Sequence, residues 1–350
     1  GMALCPALGI GIPVGKDSLS MRTRWADDGV AKQVTAPVSL IATAFATLDD
    51  VRGTLTPQLQ PGDTSLILID LGAGRQRMAG SMLAQVTAQF GCHHLDGLPD
   101  LDDPAQLKAL VAAINQLRSE GKLLAYHDRS DGGLWATVCE MAFAGQLGVS
   151  LNVDLLVTEG DGIADSRAEM GDTKNWATQV SERRNELTLK ALFNEELGAV
   201  IQVPRAERDA VMAVLRTHGL SRHSHVIGRT NDKRVIEVWR DAKAQFSAPL
   251  RGLQQSWDQV SWRIAQLRDN PACADSEHEA AGAEGDPGLH LQLSFDPAED
   301  VAAPFIHSAR PRLAILREQG VNSHVEMSRA MAEAGFDTFD VHMSDLQAGR

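Results

Sequence analysis

The chain has 350 residues, 43% hydrophobic content and a formal net charge of −13. Such a length can bury a core and divides naturally into two or more domains. The acidic balance removes the basic face that nonspecific nucleic-acid binding needs, and no apolar run approaches the ~20 residues of a membrane span.

The N-terminus lacks the charged-then-apolar pattern of a signal peptide. Cys5, Cys92, Cys139 and Cys273 are widely separated, with no CxxC pair and no complementary histidine spacing. Neither a zinc site nor a disulfide framework is expected, and a reducing cytoplasm is the expected compartment. An acidic chain can still bind a nucleotide by using Mg²⁺ as the positive charge.

In chain order, Ile10 to Met21 reads as a strand leading into the turn Gly15-Lys16-Asp17-Ser18, and Val34 to Leu48 as a further strand. Pro57, Pro61 and Gly62 mark a boundary. Ser65 to Leu71 is a continuous apolar run of strand length, the pattern of burial on both faces. Met78, Met82, Val86 and Phe90 predict a helix at i+4 spacing. The next helix is capped by Asp103, starts at Pro104, buries Leu107, Leu110, Val111, Ile114 and Leu117, and ends at Gly121.

A strand from Lys122 to Tyr126, a Gly-Gly turn and a helix from Leu134 to Ala144 continue the alternation. Thr158 to Glu186 is polar and reads as a surface insertion, a mobile loop. Beyond it, Leu192 to Gly198 turns into the strand Ala199 to Val203. A helix from Ala206 to Thr217 and a strand near His225 to Ile227 close this part around Gly228. Val235 to Trp239 reads as a strand and Leu250 to Leu267 as a long amphipathic helix packed by Trp257 and Trp262. Asn270 to Gly288, acidic and without Lys or Arg, reads as an extended linker. Arg312 to Leu316 opens a β-α-β unit whose helix carries a Ser323/Glu326 capping box and stops at Gly335 before the strand Phe336 to His342.

The chemistry concentrates in Tyr126-His127-Asp128-Arg129-Ser130-Asp131-Gly132-Gly133-Leu134. A strand delivers two carboxylates and a serine to a Gly-Gly turn at a helix start. There the carboxylates can face a cation, and free backbone N–H groups can face a phosphate. Asp131 either joins that site or caps the helix. Gly15-Lys16-Asp17-Ser18 places a cation, an anion and a hydroxyl together, as a second phosphate turn or an ordinary polar one. A Walker loop fails because Ile10 stands at its first glycine and Asp17 follows the lysine. A Rossmann fingerprint fails at Arg77, although Gly72 and Gly74 fit. His127 is a general base or, more commonly for a strand end, a satisfied structural group. Glu195 and Glu196 suggest acid–base chemistry, yet successive residues rarely meet one atom, so at least one is expected in solvent. His218, His223 and His225 lack a carboxylate or cysteine at ligand spacing, which argues against a metal there.

Several long stretches carry a family resemblance. They are Leu4 to Gly9 with Ile12 to Met21, Leu55 to Leu59, His127 to Leu134, Leu192 to Gly198, Leu267 to Pro271, and Ile315 to Met327. In this order the chain resembles the phosphoribosylformylglycinamidine synthases, the formylglycinamide ribonucleotide amidotransferases, of the large single-chain type. The resemblance implies an α/β (α+β) fold: a synthetase C-terminal subdomain with a mixed sheet and helices, followed by the start of a class I glutaminase β-α-β domain.

It also implies an ATP- and Mg²⁺-dependent ligase that converts formylglycinamide ribonucleotide and glutamine to the amidine. ATP activates the formamide oxygen as a phosphate ester, and ammonia from a glutaminase domain displaces it. By the same resemblance Asp128 is a Mg²⁺ ligand and Ser130 a nucleotide contact, with Lys16, Asp17 and Ser18 as further nucleotide contacts. Whether the nucleotide of this half is turned over or is a structural ADP stays open.

The expected organisation is the end of a synthetase N-terminal-type subdomain (1–58) and a C-terminal-type subdomain (59–229, with the polar insertion 158–186). A linker strand, helix and acidic tether (230–309) and the start of a glutaminase (310–350) follow. The chain reads as an internal stretch of the parent polypeptide. The glutaminase nucleophile is expected beyond Arg350 and the partner Mg²⁺ ligands before Gly1, so no catalytic residue is assigned and the stretch alone is expected to be inactive. Expected partners are formylglycinamide ribonucleotide, glutamine, ATP/ADP and the rest of the parent polypeptide, with no nucleic acid and no membrane. The alternative is a stand-alone nucleotide-binding or scaffold module derived from this family.

Overall fold

The computed structural model describes residues 2–13, 15, 21–36, 40–48, 50–88, 97–157, 176–284, 291–300, 302–305 and 307–349. Contacts divide the chain into two units, Gly1–Glu284 and Gly285–Arg350. The first opens with helix α1 (Leu4–Leu8) and an antiparallel hairpin of β1 (Arg22–Asp27) and β2 (Val30–Thr35). Its turn is Asp28-Gly29, with φ of 49° and 78°, a pair whose left-handed backbone matches the twist of hairpin strands. Of the strands expected over Ile10–Met21 and Val34–Leu48, residues 14, 16–20 and 37–39 lie outside the described ones, and of the described residues only Val34 and Thr35 are in a strand. The pairing runs from Asp27 with Val30, next to the Asp28-Gly29 turn, to Arg22 with Thr35.

One mixed seven-stranded sheet dominates the first unit. Its strands are β3 (Thr64–Asp70), β4 (Ala125–Asp128), β5 (Gly148–Asn152), β6 (Gly198–Pro204), β7 (Ser224–Asn231), β8 (Val235–Arg240) and β9 (Lys243–Pro249). Their order is β4-β6-β3-β7-β5-β8-β9, antiparallel except for the β5–β8 pair. β3 is buried along its whole length, as its unbroken apolar run implies. β8 pairs with β5, so the strand expected in a linker is integral to the sheet.

The helices are α2 (Met82–Thr87), α3 (Pro104–Ser119), α4 (Gly133–Gly145), α5 (Trp176–Phe193), α6 (Arg208–Thr217), α7 (Leu250–Arg268) and α8 (Pro271–Gly282). On one face of the sheet Leu66, Leu68, Val149, Leu151, Ile236 and Val238 pack with residues of α4, α5 and α7 such as Leu134, Met141, Leu192 and Leu250. On the other face Ile67, Ile69, Ile201 and Val203 pack with Leu110 and Leu117 of α3 and Val211 and Leu215 of α6. Each such side chain contributes roughly 1.5–3 kcal/mol on burial, so these two layers, not the hairpin, hold the unit together.

Asp103 accepts from the Ala105 N–H with Pro104 in the first turn, as expected. α2 starts later than expected because Ser81, not the Met78 region, caps it by accepting from the Ala84 N–H, and Phe90, expected in this helix, lies outside the described residues. The polar insertion ends earlier than Glu186. From Trp176 the chain is helical, because Leu187, Ala191 and Leu192 reach the core; residues 158–175 lie outside the described ones. The expected extended linker contains α8, since Asn270 caps it and Pro271 takes the first position. α8 also finds a partner in α7, where His278 stacks on Trp262 at 4.0 Å.

The second unit is a β-α-β motif, as expected: β10 (Arg312–Arg317), α9 (His324–Glu333) and β11 (Asp337–His342), followed by α10 (Met343–Gln347). β10 and β11 pair in parallel. Ser323 sits at φ 64° and its side chain caps nothing, so the Ser323/Glu326 box does not form. A capping box forms instead between His342 and Asp345 at α10. Among the described residues no helix is long and apolar enough to cross a membrane.

Candidate functional site

The sheet register brings the chemistry to one end. Asp70 at the end of β3 pairs with Gly198, and Asp128 at the end of β4 pairs with Ala199. The loop after β3, the turn after β4 and the segment before β6 therefore meet.

Arg129 is the pin of this end. It is buried, and its Nε–H donates to the Glu196 carbonyl at 2.5 Å. Its guanidinium donates to the Leu197 carbonyl at 3.2 Å and to the Asp70 carboxylate. With Arg129 turned inward, Asp128, Ser130 and Asp131 are left exposed around it. Burial would raise the Asp70 carboxyl, but the Arg129 charge and hydrogen bond, with the N–H groups of Gly74 and Gly72, hold it below its ordinary value. The same Asp70 carbonyl meets the buried His223 Nδ1 at 2.7 Å.

Asp128 Oδ1 accepts from the Tyr126 hydroxyl. Burial first, and then this carboxylate, push the Tyr126 phenol well above its usual range. Gly132 and Gly133 have φ of 81° and 66°. A Cβ at Gly133 would lie 2.5 Å from the Asn194 carbonyl oxygen, so the turn requires glycine there by contact as well as by conformation.

The expectation of free N–H groups at the turn needs correction. The Gly132 N–H donates to Glu195 Oε1 at 2.8 Å and the Gly133 N–H to the Ser130 carbonyl at 2.9 Å. Asp131 does not cap α4, whose start has no side-chain cap. What the turn leaves exposed is the Asp128 and Asp131 carboxylates and the Ser130 hydroxyl.

Neither neighbouring glutamate is left in solvent. Glu195 Oε1 also accepts from the Met82 N–H at 2.8 Å, tying the start of α2 to the Gly-Gly turn. Glu196 is buried and receives Arg77 Nε and Nη2, both at 2.7 Å. Arg77 reaches on to Asp102 at 3.2 Å, and Glu196 before Asp102 holds its guanidinium firmly protonated. These are architectural pairs, not an acid and a base. His127 Nε2 meets Glu140 Oε2 at 2.9 Å, and Glu140 Oε1 accepts from Trp257 Nε1 at 3.2 Å, so His127 is a satisfied structural group.

Lys16, Asp17 and Ser18 lie outside the described residues. Among the described residues no three His, Cys, Asp or Glu side chains converge as a metal cluster. Asp128 offers one carboxylate with one oxygen already engaged, which does not make a Mg²⁺ site by itself. His218 pairs with Gln116 at 2.8 Å, away from His223 on Asp70. Sequence reasoning passed over Arg129, Asp70, Arg77 and the pairing of Glu196. The only advance signal was Asp70 at a strand end ahead of Gly72 and Gly74.

Three family models match the chain. They describe an FGAR-AT PurM_N-like domain over residues 1–47, the C-terminal domain of AIR synthase related proteins over 61–241, and a CobB/CobQ-like glutamine amidotransferase domain over 310–350. The second spans more than half the chain, which therefore belongs to the AIR synthase related proteins. Flanked by the other two, it is of the FGAR amidotransferase type, within a family of ATP-utilising amidotransferases of purine biosynthesis.

Solved structures similar to it include T. maritima PurL complexed with FGAR, at 13% identity and a TM-score of 0.45, covering 71% of this chain and 35% of that one. T. maritima PurL complexed with ATP is 14% identical with a TM-score of 0.40, covering 63% and 28%. E. coli HypE, a hydrogenase maturation protein, is 19% identical with a TM-score of 0.35, covering 55% and 51%. The chain thus spans about a third of the PurL chains it matches and about half of HypE.

Proposed function

We propose that this chain serves the ATP-dependent conversion of formylglycinamide ribonucleotide and glutamine to formylglycinamidine ribonucleotide, as the 59–229 synthetase subdomain and the 310–350 glutaminase start of such an enzyme. The chemical logic is that an amide oxygen leaves only once phosphorylated, after which ammonia can displace it. In this reading the turn after β4 faces the nucleotide. Ser130 donates its hydroxyl to a phosphate oxygen, and Asp128 meets the cation that a nucleotide brings with it. Lys16, Asp17 and Ser18 are further nucleotide contacts. Mg²⁺ enters as the counter-ion of the nucleotide substrate, because among the described residues no three potential ligands converge here and the turn exposes only the Asp128 and Asp131 carboxylates.

The observation that carries the reading is the inward anchoring of Arg129, which leaves Asp128 and Ser130 exposed together at the sheet end. The family's use of ATP supports it. The solved PurL complexes with ATP and FGAR are statements about those proteins and supply only the choice of ligand to test.

The experiment is a calorimetric titration of the complete enzyme with ADP in the presence of Mg²⁺, comparing wild type with Asp128→Asn and Ser130→Ala. Both variants are expected to bind more weakly while retaining wild-type circular dichroism. Unchanged affinity in both overturns the assignment of this turn.

A further inference from the structure

A second concavity, distant in the sheet from the turn after β4, has no part in the reading above. The helices α3 and α6 cover the β4-β6-β3 side of the second sheet face and reach β7 at Val226. Beyond them the strands alternate cleanly. Val149, Leu151, Ile236 and Val238 enter the core, while Ser150, Asn152, Glu237 and Trp239 lie on the opposite, open face. The register places Ser150 beside Glu237 and Asn152 beside Trp239. This face floors a groove of about 550 Å³, within the roughly 300–1,000 Å³ of small-molecule sites.

The charge of the groove opposes the charge of the chain. In a protein of net charge −13, four cations line it, Arg205, Arg208, Arg229 and Lys233, against one carboxylate, Glu237. That carboxylate is already engaged: Ser150 Oγ donates to it at 3.0 Å and Trp239 Nε1 at 3.2 Å, with Lys233 Nζ at 3.6 Å. Among the described residues Arg205 and Arg208 form ion pairs with the solvent-exposed Asp63 at 3.6 Å and Asp209 at 3.2 Å. Arg229 is exposed and has no ion-pair partner among the described residues.

The helix field adds to this. Arg208 opens α6 and Arg205 lies in the turn just before it, at the positive end of the helix dipole, beside the helix's own Glu207 and Asp209. Trp239, half-buried and fixed by its hydrogen bond to Glu237, gives the groove an aromatic wall.

We propose that this groove binds a phosphorylated small molecule of nucleotide size, its anionic groups on Arg205, Arg208 and Arg229 and its ring against Trp239. A solvated polar sheet face would need no such convergence of cations, and a large polyanion such as nucleic acid is repelled by the rest of the chain. The ligand is held by ion pairs to guanidinium groups, so binding weakens as salt rises.

The test is titration calorimetry of the full chain with pyrophosphate and with ADP, at low and high salt. The comparison is with Arg208→Glu/Arg229→Glu and with the milder Arg229→Gln, whose site is exposed and whose fold is checked by circular dichroism. The proposal expects saturable binding of both probes, weakened about tenfold or more by the double charge reversal and measurably by Arg229→Gln. ADP should also quench tryptophan emission, and the quench should be lost in Trp239→Phe. An absence of saturable binding overturns the proposal, and so does an affinity for both probes that neither arginine variant changes. Asp128→Asn separates the two sites: loss of all ADP binding in that variant, with the arginine variants silent, assigns the nucleotide to the turn after β4 alone.

Discussion

The guanidinium of Arg129 donates to the carboxylate of Asp70, a residue 59 positions earlier in the chain, and both side chains are almost fully withdrawn from water. This pair joins the end of β3 to the turn after β4. Taking either charge away leaves the other buried without its counter-ion, which costs about 3–5 kcal/mol. Arg129→Met should therefore lower the unfolding free energy by that amount. The double variant Asp70→Leu/Arg129→Met should recover much of the loss. A double-mutant cycle in urea reads the difference, and strictly additive losses would show that the pair is not coupled.

The acid dependence follows from the same pair. Asp70 is depressed in the folded state below its unfolded value of about 3.9, so the unfolded chain takes up the extra proton. Its contribution is complete above that unfolded value and is lost as the pH falls through the lower folded value. Asp70→Asn, which never carries the charge, should show a shallower loss of stability on acidification than wild type. Urea midpoints compared between neutral pH and about pH 3 test this.

Tyr126 is the single tyrosine of the 350 residues, so its ionisation is read without overlap from others. Burial and the Asp128 carboxylate hold the phenol protonated beyond its usual range. In the folded protein the phenolate absorbance should not rise near pH 10 but only at higher pH or on unfolding. The sign is that of a raised group: its stabilisation is full below about pH 10 and is lost as the pH rises toward the folded value. Asp128→Asn should move the absorbance rise to lower pH. An ordinary titration in wild type would contradict the Tyr126–Asp128 contact.

Glu195 separates an architectural from a catalytic role. Its Oε1 accepts from both Met82 and Gly132 backbone N–H groups. Glu195→Gln keeps that oxygen and should leave stability within about 1 kcal/mol of wild type, whereas Glu195→Ala strands two donors and should cost about 1–3 kcal/mol. Thermal melting of the two variants provides the comparison. Equal losses would show that charge, not the acceptor, matters at this position.

Parts of the fold were plain in the sequence because they depend on neighbours. The unbroken apolar run of β3 and the β-α-β pattern near the C-terminus follow from local periodicity, and the Asp103-Pro104 start of α3 from capping. Other elements depended on partners. α8 is acidic and looked like a tether until α7 offered it Trp262 to stack on. The helix from Trp176 looked like insertion until Leu187 and Leu192 found the core. β1 and β2 escaped notice because both strands are exposed, so no apolar stripe marks them, and only the Asp28-Gly29 turn does.

At the site, the run from Asp128 to Gly133 was legible because residue types and a Gly-Gly turn sit side by side in the chain. The assignment of its parts was not. The sequence by itself determined the family resemblance and the strand-turn-helix that carries Asp128, Ser130 and the Gly-Gly turn. Only the tertiary structure decided that Arg129 points inward to Asp70, that Glu195 and Glu196 are ties rather than acids, and that four cations meet over an open sheet face. Those outcomes rest on register between strands far apart in sequence, antiparallel at the turn after β4 and parallel between β5 and β8. Register sets which side chains share an end or a face, and no local pattern encodes it.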